Sequence, residues 1–213
     1  LVEVKDAPRQ FKIREYKQTA EQALGRGNYK KALTALETAV ALAPENQDLA
    51  AWLNSTREDQ KNAQLNLYRD RAEKAIAAGD WEAAIHAYEQ AAKLAPEDST
   101  WKEKIEETQA ARLQAQLDAF QAEAKRAIAA EDWDDAVRAY QQAAKLAPED
   151  STWEENIEQT RAAQLQAQLD AFQAQADRAM QEGRWEEALQ AVRGAIKIAP
   201  DDVPWKEKLA DIE

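Results

Sequence analysis

The octapeptide "LAPEDSTW" stands at Leu94–Trp101 and returns unchanged at Leu146–Trp153. It is either a binding or modification site presented twice or a piece of structural punctuation, and its surroundings decide. Pro44, Pro96, Pro148 and Pro200 follow one another at steps of 52 residues, as do Tyr29, Trp81, Trp133 and Trp185. Ala32, Ala84, Ala136 and Ala188 keep the step, and so do Leu53, Ile105, Ile157 and Leu209. Between residues 81–132 and 133–184, 35 of 52 positions are identical. Columns of such different chemistry mark an internal repeat, of which the octapeptide is one corner.

The breakers divide each unit. Gly79 suits the left-handed residue that closes a helix, and Asp80 suits the N-cap of the next. Gly27–Asn28–Tyr29 does the same in the first unit. "EDW" at Glu131–Trp133 keeps the cap and loses the glycine; "GRW" at Gly183–Trp185 keeps the glycine and loses the cap. Apolar residues at 81, 84, 85, 88, 91, 92 and 94 have helical spacing and predict a helix of about four turns, ended by Pro96. Thr100 with Glu103, and Thr152 with Glu155, have capping-box spacing, and Glu97 and Asp98 suit a helix start. No Gly or Pro occurs from Thr100 to Ala130, where Trp101, Ile105, Leu113, Leu117, Phe120, Ala124 and Ile128 recur at helical steps. This predicts a long helix of about 30 residues, roughly 45 Å.

The expected fold is all-α, with short (~14-residue) and long (~30-residue) helices alternating in tandem hairpins. The units fall at 11–44, 45–96, 97–148 and 149–200, with a truncated helix at 201–213. Residues 1–10 read as a tail or linker, with "LVEV" as a short strand or extended piece. The chain opens on Leu1 and its single methionine is Met180, so it reads as a fragment or processed product. Glu213 falls inside what reads as another long helix, and further chain or a partner is expected to cover that end.

The stretch "GDWEAAIHAYEQAAKLAPE" at 79–97 resembles the second half of a tetratricopeptide repeat. The family's small–aromatic–small–proline signature falls on Ala84, Tyr88, Ala91 and Pro96, and again on Ala136, Tyr140, Ala143 and Pro148. Leu36 and Val192 replace the aromatic in the outer units. Tyr68, Phe120 and Phe172 sit where the family places a large aromatic in its first helix, while Ala72, Ala124 and Ala176 replace its glycine. The unit exceeds the family's 34 residues by 18, which is five whole helical turns. The short helix then returns only about 20 Å along the long one. The expected cross-section holds the end of one long helix, the short helix and the start of the next. The array is expected to be an elongated rod or open superhelix.

Composition narrows the function. The 213 residues carry a net charge of −12 and no cysteine. Acidity disfavours nucleic acid and anionic membranes, which need a cationic face. Disulfides, thiolate nucleophiles and Cys-based zinc sites are excluded, and no apolar run reaches 18 residues. The absence of cysteine, leader and membrane span favours the cytoplasm. His86, the single histidine, has no partner for a nucleophile, base or zinc constellation and reads as a surface residue. The acids Glu131, Asp132, Asp134 and Asp135 around Trp133 lack the spaced oxygens and glycine turn of a calcium loop and read as cap and dipole residues. Ser99, Thr100, Ser151 and Thr152 could be phosphorylated, but capping accounts for them. Trp81, Trp133 and Trp185 open short helices and Trp101, Trp153 and Trp205 open long ones. With acids around them they read as packing residues, not a stacking platform.

No catalytic, metal or cofactor site is found, and the chain does not read as an enzyme. In tetratricopeptide relatives the first helix lines the ligand groove. The resemblance therefore implies that Lys74, Arg126 and Arg178, which recur at the 52-residue step, meet acidic side chains of a peptide. The expected function is a protein–protein interaction scaffold or recruitment module within a larger protein, with a protein or peptide partner. The alternative is a rigid helical spacer, or a rod self-associating end to end or laterally, and the near-uniform middle units equally fit a consensus-engineered repeat.

Overall fold

The computed structural model describes the fold of residues 3–212 and the side chains of residues 7–212. Its elements in chain order are α1 (Glu3–Leu24), α2 (Tyr29–Leu42), α3 (Gln47–Ala77), α4 (Trp81–Leu94), α5 (Thr100–Ala129), α6 (Trp133–Leu146), α7 (Thr152–Gln181), α8 (Trp185–Ile198) and α9 (Val203–Ile212). The short helices α2, α4, α6 and α8 have 14 residues each, and α3, α5 and α7 have 30 or 31. This is the expected alternation. The chain forms two compact units, Leu1–Ala110 and Ala111–Glu213.

Within each unit the core is local. In the first, Ile13 and Ala20 of α1, Leu36 and Ala39 of α2, and Leu49 and Leu53 of α3 form two adjoining clusters. A third joins Leu65 and Ala72, late in α3, to Ala84, Tyr88 and Ala91 of α4 and Trp101 at the start of α5. The second unit repeats this with Leu117 and Ala124 of α5, Tyr140 of α6, and Trp153 and Ile157 of α7. It ends with Leu169 and Ala176 of α7, Val192 and Ala195 of α8, and Trp205 of α9. Each core thus draws on the late turns of one helix, the short helix, and the first turns of the next. Fully buried alanines let the helices approach closely, and the aromatic pair supplies the bulk. Tyr88 and Trp101 stand 6.4 Å apart between ring centroids at 34°, and Tyr140 and Trp153 repeat both values.

The glycine corners close as the sequence implies. Asp80 N–H donates to Ala75 O (2.9 Å) and Gly79 N–H to Ile76 O (2.9 Å), the paired bonds of a left-handed helix terminus. Gly79 has φ +75°, and the Asp80 carboxylate accepts from Ala83 N–H at 3.0 Å. Glu131 takes the same conformation, φ +59°, although it carries a β-carbon. Arg184 opens α8 without a side-chain cap.

The proline corners require a correction. Pro96 follows the last residue of α4 by two positions, as expected, but Thr100 and Thr152 are not the capping residues. Ser151 is already helical, at φ −65° and ψ −11°, and its hydroxyl makes no cap bond. The cap oxygen comes earlier: Asp98 accepts from Thr100 N–H at 3.0 Å and Asp150 from Thr152 N–H at 3.0 Å. Asn46 and Asp202 complete that column, accepting from Leu49 N–H (3.1 Å) and Trp205 N–H (3.4 Å). A short carboxylate reaches the first free N–H groups, whereas a residue with helical dihedrals points its hydroxyl away from them.

Two further expectations change. Residues 3–10 are helical, not a tail: α1 begins at Glu3, and Arg9 donates to Leu42 O and pairs with Glu45 at 2.9 Å, which ties this stretch to the end of α2. Leu1 and Val2 of "LVEV" lie outside the described residues. The packing expected of Trp185 is also absent, since it is 57 % exposed while Trp81 and Trp133 are half-buried. Tyr29, in the same column, shares a hollow with Gln60, Ala63, Gln64 and Leu67 of the following long helix.

Candidate functional site

Short and late-long helices pack through one face each, which leaves a groove along the seam of the hairpin. Between α1 and α2 it measures about 410 Å³ and is lined by Tyr16, Thr19, Asn28, Lys30, Lys31, Thr34, Ala35 and Thr38. The same seam recurs between α5 and α6 with Phe120, Glu123, Asp135, Arg138, Ala139 and Gln142, at about 380 Å³. Between α7 and α8 it holds Gln175, Arg178, Arg184 and Glu187, at about 310 Å³. The 52-residue step relates Tyr16 to Phe120, Lys31 to Asp135 and Glu187, and Thr34 to Arg138.

The chemistry of these seams differs. In α6 Arg138 pairs with Asp135, and at the start of α8 Arg184 pairs with Glu182 and Glu187. Those cations are neutralised from within. Between α7 and α8 the Phe172 ring also comes within 2.6 Å of where a β-carbon on Gly194 would stand, so a side chain there would have to displace the ring. In the first seam Thr19, Thr34 and Thr38 donate their hydroxyls to carbonyls one turn back in their own helices, at 2.8–3.0 Å. The Asn28 carbonyl oxygen is engaged by Lys31 N–H at 3.0 Å. The polar groups of the floor are thus engaged locally, leaving an apolar surface edged by two ammonium groups.

Lys74, Arg126 and Arg178 are exposed on the late turns of α3, α5 and α7. Arg178 lines a seam together with Arg184 and Glu187, and Glu187 is paired with Arg184. His86 is exposed, 3.9 Å from Glu89. Asp132 accepts from Asp135 N–H at 3.4 Å, and Asp134 from Gln164 at 3.5 Å, so the acids around Trp133 serve the cap and a neighbouring helix. Trp101, Trp153 and Trp205 are buried at the joints, with Ala84, Tyr88, Ala136 and Tyr140 beside them. At the proline corners, hydrogen bonds from Thr100 (its side chain first, then its backbone) hold the Asp98 carboxyl below its ordinary 3.8, and Thr152 does the same to Asp150. Lys61, reaching Glu97 at 2.5 Å, lowers that carboxyl too.

The Lys30–Lys31 pair has a signal in the sequence that the row of cations on the long helices obscures. It is a column in which Lys31 aligns with Asp135 and Glu187.

Among the described residues, no helix is long and apolar enough to cross a membrane. No curated protein matches the chain. A solved structure similar to it is that of TTC0263, a thermophilic TPR protein in Thermus thermophilus. The identity is 15 %, over 94 % of this chain and 98 % of that one, with a TM-score of 0.19. The tetratricopeptide repeat family model matches residues 69–104, which run from the late turns of α3 through α4 to the first turns of α5. That stretch is the first of the Tyr–Trp cores, and the chain is a tetratricopeptide-like helical repeat whose hairpins return every 52 residues.

Proposed function

We propose that this chain is a non-catalytic protein–protein interaction module, acting as a scaffold or recruitment segment. Tetratricopeptide repeats generally mediate such contacts. One observation favours this reading here: the α1–α2 seam departs in charge from its own repeats, with Lys31 where the later seams carry Asp135 and Glu187. A module that only sets distance gains nothing from such a difference. The row Lys74, Arg126 and Arg178 is a secondary contact in this proposal, because only Arg178 of the three lines a seam. A spacer is the second reading, favoured by the matched Tyr–Trp geometry of the two middle cores.

The test is site-specific photo-crosslinking. A benzophenone side chain at position 34, in the α1–α2 seam, is expected to label a protein partner. The same group in place of His86, the equivalent position on α4, is expected to label little. Equal labelling at both, or none at either, contradicts the proposal.

A further inference from the structure

The first turns of the later short helices carry acids: Glu82 in α4, Asp134 and Asp135 in α6, Glu186 and Glu187 in α8. Helix dipoles favour negative charge there. α2 has no acid in its first turn and carries Lys30 and Lys31 instead. Two cations at that end oppose the dipole and weaken the helix. Among the described residues, no carboxylate pairs with either ammonium group. The conflict with the dipole is therefore not relieved by an ion pair among those residues. Both lysines line the α1–α2 groove, against Tyr16 and Ala35.

We infer that this groove takes an acidic segment of a partner protein, with carboxylates on Lys30 and Lys31 and an apolar side chain against Tyr16 and Ala35. The inference rests on the interaction reading above and specifies its site and ligand chemistry. Charge complementarity selects the occupant. Residues 3–46 hold eight Lys and Arg against six Asp and Glu, whereas residues 47–213 hold twenty against thirty-four. An acidic segment is repelled by most of the chain and attracted to this hairpin. A polynucleotide needs a longer cationic track with stacked rings, and Glu15, Glu21 and Glu37 interrupt any such track here. The seam lies between the two helices of one hairpin, so it is distinct from a surface built by successive first helices.

Fluorescence anisotropy with a labelled peptide of alternating glutamate and leucine tests the inference on the whole chain. Binding is expected, weakening as salt is added. The double variant Lys30→Glu/Lys31→Glu is expected to lose at least tenfold in affinity while its thermal midpoint rises, since the dipole conflict is removed. Lys93→Glu, on α4, is expected to bind as the parent does. Unchanged binding by the double variant overturns the inference. So does equal binding of a single-stranded oligonucleotide, or self-association that disappears with the two lysines. If the peptide fails to bind while the probe at position 34 still labels a partner, the ligand class falls and the interaction reading stands. If both fail, both fall.

Discussion

Replacing Glu131 by glycine should stabilise this protein, although it removes a side chain and adds none. Among the described residues, four helix ends use a left-handed residue, and three of them are glycines at φ +68° to +75°. The fourth is Glu131 at φ +59°. In that conformation a β-carbon crowds the following carbonyl, at about 1–2 kcal/mol per residue. Glycine escapes the crowding but adds disorder to the unfolded chain, which returns part of the gain. The net expectation for Glu131→Gly is about 1 kcal/mol of added stability, or about 2–4 °C in thermal midpoint for a chain of this size. The exchange in the other direction isolates the backbone effect. A β-carbon built on Gly79 meets nothing within 4 Å, so Gly79→Ala should cost about 1 kcal/mol through conformation alone. Urea and thermal unfolding followed by far-UV circular dichroism measure both. Glu131 lies beside Asp132, Asp134 and Asp135, so relief of repulsion must be separated from relief of strain. Glu131→Gln removes the charge and keeps the β-carbon, and it should give little of the gain. A glycine variant no more stable than the glutamine variant would refute the reasoning.

Two other outcomes follow from buried and exposed polar groups. Thr56 is buried with a hydroxyl that finds no partner, whereas Thr108 and Thr160, at the same step, donate to Lys104 O and Asn156 O at 2.7 Å. The isosteric change Thr56→Val should therefore add about 1 kcal/mol of stability, while Thr108→Val stays within about 0.5 kcal/mol of neutral; equal effects in urea unfolding would contradict this. Asp98 and Asp150 have folded values held below 3.8, so their contribution is fully present above that ordinary value and is lost as pH falls through the lower, folded one. Asp98→Asn/Asp150→Asn should flatten the acid limb of the stability–pH profile, and an unchanged limb would count against the capping assignment.

The helices and their corners were legible because they follow from spacing. Four prolines and four glycine-or-cap corners at one step leave a single partition into short and long helices. The three-helix cores follow from helix length alone, because a 14-residue helix covers only half of a 30-residue one. The caps of α5 and α7 were less legible, since Asp98, Ser99 and Thr100 all offer oxygens within three residues. Only the dihedrals show that the serine of α7's corner has already entered the helix. The left-handed Glu131 has no signal of its own beyond the missing glycine. Trp185 follows the sequence pattern of Trp81 and Trp133, yet it is exposed. The groove was legible in principle, as a reversal of sign in a column of acids. Its meaning required seeing that α1 and α2 leave their seam open.

In the proposed function, activity resides in the surface of a hairpin and not in the distance the repeats set. Excising residues 81–132 tests it most directly, because joining Asp80 to Trp133 removes one 52-residue unit and restores a Gly–Asp–Trp corner. The expected result is a folded protein of unchanged mean residue ellipticity that binds the acidic peptide, and is labelled from position 34, as the full chain does. Retained helicity with binding lost, and recovered only when the length is restored, would contradict it and establish the spacer.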